Sequence, residues 1–135
     1  MINRVEKLSL LSEMIAFAKH EKDIKNIEYN FLLGVAKQLE ISREDFDYLI
    51  ENPINYIHLK SHSERIVQFH RLVLLMNIEG ESENNHKNVI KLYNFGLRMG
   101  LSHESITKVL YLMESFPNKI VPPDVLIDIF KTQYN

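Results

Sequence analysis

The stretch SHSERIVQFHRLVLLM, Ser61–Met76, decides the fold class. Ser61 and Glu64 stand at capping-box spacing, where each side chain satisfies an orphan N–H of the first helical turn. Behind them Ile66, Val67, Phe69, Leu72, Val73, Leu74, Leu75 and Met76 cover most of a helix's circumference. A helix apolar nearly all round lies among other helices, so this one is expected at the centre of a bundle. Its run Leu72–Met76 is five residues, and no unbroken apolar stretch of the chain is longer. That is far below the ~20 residues of a membrane span, so no membrane insertion is expected.

Outward from this helix the apolar period stays helical. On the N-terminal side, Leu8, Leu11, Ile15 and Ala18 line one face of a helix from about Val5 to Lys19, and Leu10, Met14 and Phe17 line another. Ile27, Phe31, Val35 and Leu39 step along a second helix. Ser42 caps a third, with Phe46, Leu49 and Ile50 as its buried face and Pro53 as its end. Residues 53–61 fit either a short strand-like segment or a helical turn.

On the C-terminal side, Val89, Leu92, Tyr93, Gly96 and Met99 form a stripe that Gly100 stops. Ser102 caps a helix bearing Ile106, Val109, Leu110 and Met113, and Phe116-Pro117-Asn118 breaks it. Pro123 suits the first position of a last short helix carrying Leu126, Ile127 and Phe130. The expectation is an all-α, compact bundle of about seven helices. At 135 residues it is expected to be one domain, 1–135.

Composition narrows the function. Sixteen Lys and Arg against eighteen Asp and Glu give a net charge of −2. Neither half is basic, so no nucleic-acid partner is expected. There is no cysteine, hence no disulfide, thiol nucleophile or thiolate-held zinc. No cleavable apolar leader is evident, and a soluble cytoplasmic protein is expected.

One pattern occurs twice: an apolar helix, an acidic loop, a second helix, then apolar–Ser–x–Glu. Repeat 1 spans about 5–51 and repeat 2 about 62–114, followed by a C-terminal helical segment, 120–135. The acidic loops are offset by 58 residues, Glu21 to Glu79, and the Ser caps by 60, Ser42 to Ser102. Ala18-Lys-His-Glu-Lys-Asp-Ile…Glu28 and Met76-Asn-Ile-Glu-Gly-Glu…His86 resemble the A-x-x-D-G-E-(I/V)-x-x-x-E signature of TerB-like (tellurite resistance protein B) domains. The links Ile41-Ser42-Arg43-Glu44 and Leu101-Ser102-His103-Glu104 resemble that family too. The signature departs at Glu21 and Glu79 (Asp in the family), Lys22 (Gly), Asp23 (Glu) and His86 (Glu).

The resemblance implies two pseudo-repeated three-helix units. It also implies a non-catalytic cytoplasmic adaptor or scaffold with a protein partner, often at a membrane, linked to tellurite or related stress resistance. The candidate metal residues are Glu21, Asp23, Glu28, Glu79, Glu81 and His86. Carboxylates ahead of a helix complement its dipole without any ligand, and they also suit a hard divalent cation. The seven-residue spacing is not that of an EF-hand, and an imidazole at 86 would favour Zn²⁺ or a transition metal. A metal-dependent hydrolase using these loops and a structural oligomerisation module are the alternative readings.

Other groups have plainer expected roles. His58 and His62 suit a metal pair only on one helix and are expected in a surface loop. His70 is expected as a hydrogen-bonded core or edge histidine. Gly34 and Gly96 are expected where helices approach closely. The segment after Ile120 is expected to dock back onto the bundle.

Overall fold

The computed structural model describes residues 2–19, 23–78 and 85–131; at 85, 86 and 118 the backbone alone is described. Among the described residues the chain is all-α, with seven α-helices, one 3₁₀ turn and no strand. They are α1 (Arg4–Ala18), α2 (Asn26–Gln38), α3 (Arg43–Glu51), α4 (His62–Asn77), α5 (Asn85–Arg98), α6 (His103–Met113) and α7 (Pro123–Lys131). The 3₁₀ turn is Pro117–Lys119, at the expected break after α6. The chain divides into two compact units, Met1–His58 and Leu59–Asn135.

In the first unit α1, α2 and α3 pack on one another. Leu11, Met14, Ile15, Leu32, Ala36, Phe46 and Leu49 are buried there. Asn3 and Glu6 form a full capping box at the start of α1, with bonds of 2.8 and 2.9 Å. After α3 the chain is irregular over 53–59. The N–H groups of Ile54 and Ile57 donate to the hydroxyls of Ser12 and Ser9 at 3.1 and 2.8 Å. The segment therefore runs antiparallel to α1, and two buried serines of that helix satisfy its backbone. Lys19 donates to the carbonyl of Ile50 at 3.0 Å, placing a cation at the C-terminal end of α3.

In the second unit α4 packs on α5 and α7, α5 on α6, and α6 on α7. The helices thus close into a ring around Phe69, Leu72, Val73, Leu92, Ile106, Val109 and Phe130. The apolar side chains of α4 are buried or half-buried as expected, except Val67, which is exposed. Asn77 donates to the carbonyl of Lys119 at 3.3 Å, and His70 lies 3.1 Å from the carbonyl of Val121. These polar groups stand 58 residues after Lys19 and Ser12. In each unit, polar side chains on or just after the first helix thus bind backbone within or after the third.

The second helix of each unit also ends alike. The N–H of Ile41 donates to Ala36 at 2.8 Å and that of Glu40 to Lys37 at 3.0 Å. Sixty residues on, Leu101 donates to Gly96 at 3.1 Å and Gly100 to Leu97 at 2.9 Å. Both are Schellman ends, which need a left-handed residue at the first position beyond the helix. Gly100 supplies it at φ 82° without strain, and Glu40 adopts φ 61°. The following Ile41 and Leu101 are buried, and Ser42 and Ser102 then cap α3 and α6 through bonds of 3.1 Å.

Two sequence expectations need correction. On α2 the buried stripe is Leu32, Val35 and Ala36, whereas Ile27 is exposed. Steps of four drift about 40° each, so Ile27 and Leu39 point about 120° apart. Gly34 makes no close approach: a Cβ there would meet nothing within 4 Å. Gly96 does, since a Cβ would lie 2.8 Å from Ile106 Cδ1 and 2.9 Å from Phe69 Cε1.

Candidate functional site: the acidic segments before α2 and α5

The first acidic segment enters α2 through Asp23, Lys25 and Glu28. Asp23 is exposed. Glu28 is buried at the third helical position, and its Oε1 accepts from the N–H of Lys25, the N-cap residue, at 3.3 Å. Lysine has no acceptor for the first-turn N–H groups, so the carboxylate that reaches back to the cap is the one turned inward. Its charge also complements the positive end of the α2 dipole. Glu28 thus performs the capping role that needs no ligand.

Of the remaining candidates, Glu21, Glu79 and Glu81 lie outside the described residues. His86 belongs to the first turn of α5, whose start is Asn85. Among the described residues no group of three His, Asp or Glu side chains is placed to hold a metal ion. Only Asp23 and Glu28 can be located as side chains, and they divide: one faces solvent, the other serves the helix.

The histidines separate in the same way. His58 is exposed on the irregular segment, 3.2 Å from the Tyr56 hydroxyl. His62 begins α4, so the two do not share a helix and do not form an i, i+4 ligand pair. His103 is hydrogen-bonded to Tyr93 through Nδ1. His70 is half-buried and bonded to backbone, as expected.

The predicted hydroxyls are accounted for as caps. Ser61 accepts from the N–H of Glu64 at 3.3 Å, joining Ser42 and Ser102. Residues the sequence reading passed over are the buried Ser9 and Ser12 and the half-buried Arg71. Desolvation lowers the Arg71 pKa, while the charge of Glu64 opposes that shift. The available signal was polar residues at otherwise apolar helical positions.

No family model matches the chain, and no curated protein or solved structure is significantly similar to it. No helix among the described residues is long and apolar enough to cross a membrane.

Proposed function

We propose that the chain is a non-catalytic, TerB-like adaptor built from two divergent copies of one three-helix unit. Its acidic segments ahead of α2 and α5 present negative charge to a divalent cation or to a basic protein partner. The matched Schellman ends at 36–42 and 96–102, each leading through a buried residue into a Ser cap, carry this reading. Schellman ends and Ser caps are each common among helices; their recurrence in the same order at an offset of 60 is what favours duplication.

The acidic residues repeat at an offset of 58, Glu21 to Glu79 and Asp23 to Glu81. The link to tellurite or related stress resistance rests on the motif resemblance.

Equilibrium dialysis of chelator-stripped protein against Ca²⁺, Mg²⁺, Mn²⁺ and Zn²⁺ tests the cation arm. Saturable binding that is lost in the Glu21→Gln/Glu79→Gln variant, without phosphoester turnover, supports the adaptor. Metal-dependent turnover would replace it with a hydrolase. A mass that grows with concentration, with no cation effect, would replace it with an oligomerisation module.

A further inference from the structure

Each unit has one helix face that joins exposed apolar surface to charge of a single sign. On α5, Ile90 and Leu97 are 49% and 42% exposed, and the exposed Asn94 lies between them. At about 100° per residue the three share one stripe, turned away from the buried Leu92, Gly96 and Met99. Lys87, Lys91 and Arg98 all fall on one flank of it, roughly 60–100° from Ile90 in the sense of advancing sequence. No acidic residue lies in 87–98. On α3, Tyr48 is 67% exposed. The exposed Glu44 and Glu51 fall on one flank of it, roughly 40–60° in the opposite sense. Asp47 lies beyond them and accepts from the Tyr29 hydroxyl at 2.6 Å, while Asp45, on the other flank, is paired with Arg4 at 2.6 Å. Tyr111 and Ile127 are also exposed, but each has both signs of charge within about one turn: Lys108 and Glu114 for the first, Asp124 and Lys131 for the second.

We propose that α3 of one chain docks in parallel on α5 of a second copy, with Tyr48 seated between Ile90 and Leu97 over Asn94. The charges set the direction. The cations of α5 flank their stripe in one rotational sense, and the carboxylates of α3 flank Tyr48 in the other. Facing right-handed helices bring flanks of opposite sense to the same side when they run parallel, and to opposite sides when one is reversed. The register follows too. With Tyr48 level with Asn94, Glu51 stands three residues on, level with Leu97 and beside Arg98. Glu44 stands four residues back, level with Ile90 and between Lys87 and Lys91 in height. A tyrosine at the centre of an apolar contact with charges at its rim is the usual anatomy of a protein interface.

Each copy carries one face of each kind, so the contact is heterologous. It uses neither acidic segment, so an adaptor that also binds cations shows both effects. Two helix faces of about three turns bury less than the roughly 1,200 Å² of a standard interface, which puts the contact in the weak class. Its rim charges give orientation more than affinity. Salt shortens the reach of exposed charges from about 10 Å at 0.1 M to about 3 Å at 1 M, so the association should weaken as salt rises.

Sedimentation of the full chain in chelator, from about 10 μM to about 1 mM, covers the weak range of such contacts. The mean mass should climb above the 15.9 kDa of one chain as concentration rises, and less so at high salt. Glu44→Lys/Glu51→Lys reverses the α3 face, and Lys87→Glu/Arg98→Glu reverses the α5 face. Either variant alone should stay monomeric, since its two faces then carry like charge. An equimolar mixture should associate again, because each reversed face meets an opposite charge on the other variant. Wild-type protein that stays monomeric overturns the proposal, and is the result expected if α5 serves a foreign acidic helix or an anionic membrane instead. Variants that associate as the wild type does, or a mixture that stays monomeric, overturn it as well. Circular dichroism checks that each variant is helical. Arg98 also lies over the Phe95 ring, at 4.6 Å. Where its replacement prevents folding, Glu44→Lys/Glu51→Lys alone decides, and undiminished association in that variant overturns the contact.

Discussion

A Cβ at Gly96 would sit 2.8 Å from Cδ1 of Ile106, so the Ile106 side chain packs against α5 where any larger residue would have to displace it. The same residue type at Gly34 faces open space. The two glycines therefore predict opposite responses to one substitution. Gly96→Ala gains helix propensity but overpacks Ile106 and Phe69, an effect that typically costs about 1–3 kcal/mol, and should be net destabilising. Gly34→Ala removes backbone entropy without any clash and should stabilise by about 1 kcal/mol. Denaturant melts of the two variants check this, and shifts of the same sign would contradict the packing described.

Ser12 holds the segment after α3 through the N–H of Ile54. Ser12→Ala leaves that part-buried donor without its acceptor, and the expected loss is about 1–3 kcal/mol. A change below a few tenths of a kcal/mol, at unchanged denaturant slope, would mean that water replaces the hydroxyl at no cost.

Phe130 is fully buried against Phe69. Phe130→Ala should cost about 3–5 kcal/mol, the range for large-to-small changes in a well-packed core. Removing residues 120–135 should destabilise the second unit at least as much. An unaltered thermal midpoint in either variant would show that the segment does not dock in solution.

The sequence located the helices well because their ends are chemically marked. Ser42, Ser61 and Ser102 each sit one residue before a helix, and Pro123 opens α7. These are local signals that a linear reading detects. Ser9 and Ser12 were missed because their role depends on a segment more than forty residues away. Gly34 and Gly96 look alike in sequence, and the neighbouring helix alone tells them apart. The candidate site was legible as acidic clusters, but the division of labour between Asp23 and Glu28 was not. It arises from Lys25 at the N-cap, which makes Glu28 the residue that turns back to serve the helix.

Cation binding by the acidic segments is read by thermal melts of chelator-stripped protein, titrated separately with Ca²⁺, Mg²⁺, Mn²⁺ and Zn²⁺. A ligand bound only by the folded state stabilises by RT ln(1 + [L]/Kd), about 2.7 kcal/mol at a hundredfold excess over Kd. A saturable rise of several degrees is expected with one of these ions, absent in Glu21→Gln/Glu79→Gln. A midpoint unmoved by all four ions would contradict the cation arm and leave these carboxylates as helix-capping surface. An equal rise in the double variant would place the binding elsewhere in the chain.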